Sequence, residues 1–441
     1  VTTTASGGGD GTTEGNAWTW TEALTAAAAG MTIWVKAGDY GDLSNTYTRS
    51  GTPTSPIKWI GYKTTPGDIT SNYYDYGVTW STSEMPTITN NLSSADRPFY
   101  LACHDVIFRN FQVSSAASGT YTAGTQAPYN LVMENMNMKD CVNPSGNNYS
   151  AFIFFGTQTN GYYNLRLKNN VVVNANVNGI TIQGGITTSL VGSNLIDGNK
   201  VYNDNTSSNN ARLDYGIAIN GNGGIVRNNH VESFNNTQTS GSTHGIGVRG
   251  ASYSNSRYIL FEGNTVVNWQ ESLYIRNYGC NNNVIKNNTV LNNGNTSSED
   301  RGGICFWGGA DYNVYENNKI IDVDFAIILK EVGAGDNETP EGVADVSIGT
   351  NNIVRNNIFS DFKYLLYSAN NAGSPANFDD NLFANNTFND GQFFYNQTTA
   401  DISISNLMFK NNIFSSIVGN YAGSGSTAGM SLEQFLKNRE D

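Results

Sequence analysis

The sequence predicts an all-β chain wound as a single-stranded parallel β-helix, with three short strands per coil and a capping helix at the N-terminus. Three observations lead there. From about Leu165 to Phe414, apolar runs end repeatedly in an Asn-Asn or Gly-Asn pair: Asn169-Asn170, Gly198-Asn199, Asn228-Asn229, Gly263-Asn264, Asn287-Asn288, Asn317-Asn318, Asn356-Asn357, Asn385-Asn386 and Asn411-Asn412. Counted on the second residue, the steps are 29, 30, 35, 24, 30, 39, 29 and 26 residues, a period at which strand-rich repeats stack as solenoids. Each repeat also holds three strand-like runs, which describes a three-faced coil.

The elements follow in order. Residues 1–100 form an N-terminal cap and the first coils. A Gly-rich start, Ser6 to Gly11, leads into Trp18–Ala29, which reads as a short helix with Thr21 as N-cap and Gly30 as stop. A solenoid exposes its apolar bore at each end, and this helix is the candidate cover. The strands Thr32–Val35 and Ile57–Ile60 come next. The β-helix itself is expected over residues 101–418, with early turns at Asn110 and Asn135. Residues 419–441 read as a Gly/Ser linker and a C-terminal helix carrying Leu432, Phe435 and Leu436.

Within a repeat, one strand precedes the Asn pair (Ile259-Leu260-Phe261), one follows it (Thr265-Val266-Val267), and a third lies further on (Leu273-Tyr274-Ile275). Alternation turns Ile, Val and Leu inward. The recurring Asn at one corner is expected to stack coil on coil, its amide bonding along the ladder and to the turn backbone.

Bulk composition narrows the partners. The 441 residues are only 14% charged and carry a net charge of -13. An acidic chain argues against nucleic acid, which requires a basic face. No apolar run approaches the roughly 18 residues of a membrane span. The start, Val1-Thr2-Thr3-Thr4, lacks the basic and apolar regions of a signal, so a secreted protein is expected either with its signal removed or exported by another route. The four cysteines lack zinc-site spacing, although Cys280 and Cys305 fall on neighbouring coils where a disulfide could form.

Chemistry is expected on the third strand. Its outward positions, coil by coil, are Thr181/Gln183, Ala218/Asn220, Gly247/Arg249, Tyr274/Arg276, Cys305/Trp307 and Ile328/Lys330. That is a cationic stripe with two rings on an acidic chain. With rungs about 4.8 Å apart, Arg249 and Arg276 are one rung apart and Lys330 lies two rungs beyond Arg276. Insertions concentrate around this strand and bring in Asp214, His244, Glu271, Asp300, Arg301 and Glu331, as loops that wall a cleft do. Stacked cations beside Glu271, Asp300 and Glu331 could equally form a solvated salt-bridge ladder. Outward Trp307 and Tyr274 favour sugar rings, whose C–H faces stack on aromatics.

Ala37-Gly38-Asp39-Tyr40, followed by Ser50–Ile57, is similar to the first coils of polysaccharide lyases of the alginate lyase and chondroitinase B type, and Leu273–Gly279 is similar to the strand carrying their catalytic arginine. Most of the chain resembles right-handed parallel β-helix carbohydrate-active proteins of the pectate-lyase-like superfamily. The resemblance implies a lysine base on the preceding coil and carboxylates upstream that help to hold calcium. The matching places here are Arg249, and Ser242 and His244. No cofactor is read from the residues themselves.

The reaction so implied is β-elimination on a uronate of an acidic polysaccharide. Its C5 proton becomes acidic once the carboxylate is neutralised and the enolate charge stabilised, a task for Arg276 with Asn220 or Lys330. An arginine base is chemically hard. His244, Tyr274 and Lys330 are the easier bases, and a lysine among arginines is expected to have a lowered pKa. Trp307, Glu271, Arg301 and Glu331 would bind substrate beside Asn220. Two further classes stay open. Glycoside hydrolysis needs two carboxylates about 5–9.5 Å apart, which Asp214, Glu271, Asp300 and Glu331 could supply. A non-catalytic, tailspike-like glycan binder would be a trimer, whereas a lyase would be a monomer.

Overall fold

The computed structural model describes residues 1–90, 97–114, 120–122, 129–141, 150–155, 164–175, 177–183, 194–203, 213–234, 243–249, 256–276, 279–292, 302–330, 348–369, 376–397, 402–403 and 406–417. The chain divides into two compact units, Val1–Ile217 and Ala218–Asp441. The predicted segment 419–441 lies outside the described residues.

In the first unit, parallel strands stack in register as Thr32–Lys36, Ile57–Tyr62, Val106–Arg109, Leu131–Glu134, Arg166–Lys168 and Leu195–Asp197. A second series runs Pro86–Thr89, Gln112–Ser114, Asn137–Lys139, Val171–Val173 and Lys200–Asn203. A third includes Phe99–Leu101, Thr120–Thr122, Ser150–Phe155 and Val177–Gln183. Three parallel ladders joined coil by coil are the predicted parallel β-helix.

The helix spans Trp20–Ala26 and is capped by Thr19, which exchanges a full capping box with Glu22. This corrects the expected N-cap, Thr21, to the residue two positions earlier. Thr19 wins because Glu22 sits three residues beyond it, where its carboxylate reaches back to the Thr19 amide at 2.8 Å. The helix places Trp20 5.8 Å from the Trp59 ring and 6.1 Å from Phe111, so it covers the aromatic core of the first coils.

The second unit repeats the pattern. Gly224–Arg227, Ile259–Glu262, Val284–Lys286, Val314–Glu316, Ile353–Arg355, Leu382–Ala384 and Met408–Lys410 form one ladder. His230–Ser233, Thr265–Val267 and Thr289–Leu291 start the second, and His244–Arg249, Glu271–Arg276 and Gly302–Trp307 the third. From Lys319 onward the two merge: Lys319–Lys330, Ile358–Ala369 and Thr387–Gln397 each run through both. The corner persists inside these long strands as a left-handed aspartate, with φ of 57° at Asp322, 56° at Asp361 and 53° at Asp390.

The Asn pair has two separate tasks. Its first member is left-handed, at φ 57° in Asn287 and 65° in Gly263, which is why only Asn or Gly occurs there. Its second member is buried and forms the ladder. Asn264, Asn288, Asn318, Asn357 and Asn386 each donate Nδ2–H to the Oδ1 of the next Asn at 2.9–3.0 Å. The same Oδ1 accepts the preceding Asn backbone N–H, as Asn288 does from Asn264 at 2.9 Å. A second ladder, five residues upstream of the first, joins Asn283, Asn313, Asn352 and Asn381, each backbone N–H donating to the next Oδ1, with Nδ2–H donated as well from Asn283 and Asn352. It was legible in the same spacing.

All four cysteines are buried free thiols, so Cys280 and Cys305 are not bridged. The Cys280 thiol instead donates to the Arg276 carbonyl at 3.0 Å. No described helix is long and apolar enough to cross a membrane.

Candidate active site on the third strand series

The register sets the site. Arg249, Arg276, Trp307, Lys330 and Ala369 are consecutive partners across five strands. Arg249 and Arg276 are one rung apart, and Lys330 is two rungs beyond Arg276, as expected. The Arg276 guanidinium carbon lies 3.7 Å from the Trp307 ring centroid and the Lys330 ammonium 4.6 Å, so one indole holds two cations by cation–π attraction. Only the backbone of Arg249 is described.

Beneath this row lies a buried polar cluster. His244 and Glu271 are register partners and are 3% and 1% exposed. His244 Nε2 lies 2.9 Å from Glu271 Oε2, and Lys330 Nζ contacts Glu271 Oε1. The His244 ring stacks on Trp307 at 5.6 Å and meets Tyr274 edge-on at 5.0 Å. Gly247 makes room for Tyr274, since a Cβ there would lie 2.7 Å from Tyr274 Cδ1 and 1.9 Å from its carbonyl oxygen.

The electrostatics follow from burial and pairing. Burial opposes ionisation of Glu271, but His244 and Lys330 outweigh it and hold its carboxyl well below the usual range. Burial also opposes the Lys330 charge, yet the Glu271 carboxylate raises the lysine above its ordinary value. Burial pushes His244 toward its neutral form against the pull of Glu271, with Arg276 and Lys330 adding to the downward shift. Glu271 is therefore a carboxylate, Lys330 its ammonium partner, and His244 a neutral imidazole that can donate one N–H.

Several expectations change. Lys330 is not a lysine of lowered pKa among arginines; its neighbours in the row are Trp307 and Ala369, and Glu271 keeps it charged. Tyr274 is 1% exposed and is not a surface ring. Thr181, Ala218, Cys305 and Ile328 from the same expected outward positions are also buried. Solvent reaches Arg276 and Trp307 at the strand end, both half-buried. The salt bridge between Lys330 and Glu271 is buried, not solvated. Asn220, at the end of the strand Leu213–Asn220, is 4% exposed. Asp300, Arg301 and Glu331 lie outside the described residues, as does the Asp214 side chain.

Among the described residues, none is placed to hold the calcium that the resemblance implies. Ser242 lies outside the described residues, both Glu271 oxygens face cations or imidazole, and no group of three or more His, Cys, Asp or Glu residues suited to a metal occurs among the described residues.

Replacing Glu271 with Gln removes the charge that Lys330 faces. Breaking such a buried pair costs about 3–5 kcal/mol, so the variant will unfold at lower denaturant at pH 7. The folded pKa of Glu271 is depressed, so its contribution is complete above the unfolded value of 4.5 and is lost as pH falls below it. Denaturation curves of both proteins will converge as pH drops from 5 toward 3. A gap that stays constant over that range would refute the ionised pair.

No curated protein matches the sequence. A family model described as a right handed beta helix region matches residues 215–414. Among solved structures, the chain is similar to a mannuronic acid specific polysaccharide family 6 lyase from human gut microbiota, at 15% identity over 94% of this chain and 89% of that one, with a TM-score of 0.54. It is also similar to an alginate lyase, at 12% identity over 93% and 87%, with a TM-score of 0.56. A lacto-N-biosidase from Eubacterium ramulus aligns at 11% identity over 80% and 62%, with a TM-score of 0.49. The first two likenesses are of fold: the chain is a right-handed parallel β-helix.

Proposed function

We propose that this right-handed parallel β-helix is a secreted polysaccharide lyase that cleaves a uronate-containing polysaccharide by β-elimination. The observation that carries the reading is the in-register row Arg249, Arg276, Trp307 and Lys330 on a chain whose net charge is -13. A uronate carboxylate laid on this row meets cations on successive rungs, and a sugar face meets the indole. Neutralising that carboxylate acidifies the C5 proton, and the same cations stabilise the enolate as it forms. Lys330, kept charged by Glu271, serves as a neutralising group and not as the base.

His244 and Tyr274 lie beneath the row at 3% and 1% exposure. Their part is to position: His244 supports the Trp307 ring and fixes the Glu271 carboxylate. The base that takes the C5 proton, and the group that returns a proton to the leaving glycosidic oxygen, then come from the segments that border the row. The fold likeness to an alginate lyase and a mannuronic acid specific lyase supports an anionic polysaccharide as substrate.

Incubation with alginate, chondroitin, pectin and ulvan tests this directly. Absorbance from the unsaturated product is expected with at least one of the four. New reducing ends without that absorbance would identify a hydrolase and end the elimination reading.

A further inference from the structure

The first unit carries a feature that the lyase row does not use. Residues 70–84 leave the coil after Ile57–Tyr62 and fold back over the second strand series of their own unit. Asp75 accepts a 2.6 Å hydrogen bond from Tyr202 and pairs with Lys200. Asn72 donates to Asn137 Oδ1 and to the Asn169 carbonyl, both at 2.9 Å. Trp80 packs against Val171, Val173 and Tyr202, and also against Ile69, Tyr74 and Met85. The strap is therefore pinned at several points.

Between strap and sheet runs a groove of about 560 Å³, within the range of small-molecule sites. Its floor is two register rows, Thr87–Gln112 and Thr89–Ser114–Lys139–Val173. Its wall is lined by Tyr76, Trp80, Thr79, Ser81 and Thr82. The charges are few and opposed: Asp75 is paired with Lys200, and Lys139 Nζ lies 4.0 Å from Asp140. Gln112, fully buried at the floor, donates to the Ser81 carbonyl at 2.9 Å and to Thr87 Oγ1 at 3.0 Å. Its Oε1 is a buried acceptor without a hydrogen bond among the described residues.

We propose that this groove is a second glycan-binding site, for an uncharged pyranose chain, built separately from the cationic row. Rungs about 4.8 Å apart are close to the length of one pyranose residue, so successive sugars meet the hydroxyls of Thr89 and Ser114 and then Lys139. Tyr76, 37% exposed, offers a ring face to the C–H surfaces of the sugar, while Trp80 and the Gln112 amide hold the wall and floor in place. The paired charges give a uronate no preference here, in contrast to the third-strand row.

Calorimetric titration of the full chain with cellohexaose, mannohexaose and xylohexaose tests the site without turnover. At least one is expected to bind. The groove-filling substitutions Ser114→Arg and Thr89→Arg, both at outward floor positions, are each expected to weaken that binding at least about tenfold, equal to about 1.4 kcal/mol. Arg276→Ala is expected to leave it unchanged. Silence from all three sugars, binding that survives both floor substitutions, or binding lost in Arg276→Ala would each overturn the proposal. Because the readout is binding of neutral sugars, its failure is distinct from failure of the lyase reading.

Discussion

Arg276→Ala will lower kcat/KM on the cleaved polysaccharide by about 10²–10³-fold, the loss seen when one preorganised charge-stabilising group is removed from an active site. Arg276 occupies the second rung of the in-register row, half-buried, with its guanidinium 3.7 Å from the Trp307 ring. That contact holds the cation in place before substrate arrives, so little reorganisation is needed as charge develops. Its backbone lies in a central strand paired on both sides, and the truncation removes no core group. Melting temperature and far-UV dichroism should therefore stay near those of the parent. Arg276→Lys keeps the charge but loses the planar stack on the indole, so an intermediate rate is expected. Full activity in the alanine variant would remove this row as the active site.

The second large effect falls on stability. Asn288 is 1% exposed. Its Oδ1 accepts the Asn264 backbone N–H and Nδ2–H at 2.9 Å, and its Nδ2 donates to the Phe261 carbonyl at 3.1 Å and to Asn318 Oδ1 at 3.0 Å. Asn288→Ala leaves the Asn264 N–H and one site on the Phe261 carbonyl unsatisfied in the interior. At about 1–3 kcal/mol for each orphaned group, the loss is about 2–6 kcal/mol. Asn287→Gly, one residue away, is expected to cost far less. That position needs only a left-handed backbone, and Gly198 and Gly263 already hold it in other coils. Denaturant titration of the two variants separates the roles. Equal destabilisation would show that the pair is not divided between a turn residue and a ladder residue.

Much of this architecture could be read from the chain because its determinants are local and repeated. The left-handed corner admits Asn or Gly, and the buried amide that follows must be Asn to serve as donor and acceptor at once. Those two demands recur in every coil, so they mark the period, and the period aligns Arg276, Trp307 and Lys330. The N-cap is less legible, because Thr19 and Thr21 both precede helical residues and only the reach of the Glu22 carboxylate distinguishes them.

Burial was harder to read. Alternation says that Tyr274 points away from the bore, but not what lies over it; His244 meets its ring edge-on, and Trp307 stacks on that imidazole. The same covering turns Glu271 from a surface carboxylate into a buried counter-ion that keeps Lys330 charged, which reverses the expected titration of the lysine. The strap over the first unit is more remote still. Asp75 meets Lys200 and Tyr202 across 125 and 127 residues, and no periodic signal spans that distance. The coil, its register and the order of side chains along each row are legible in the chain alone, because they follow from short-range backbone demands repeated at a regular step. The tertiary structure alone decided which of those side chains are shielded from water and which charges are paired, because desolvation depends on whatever packs above a residue, however far away it lies along the chain.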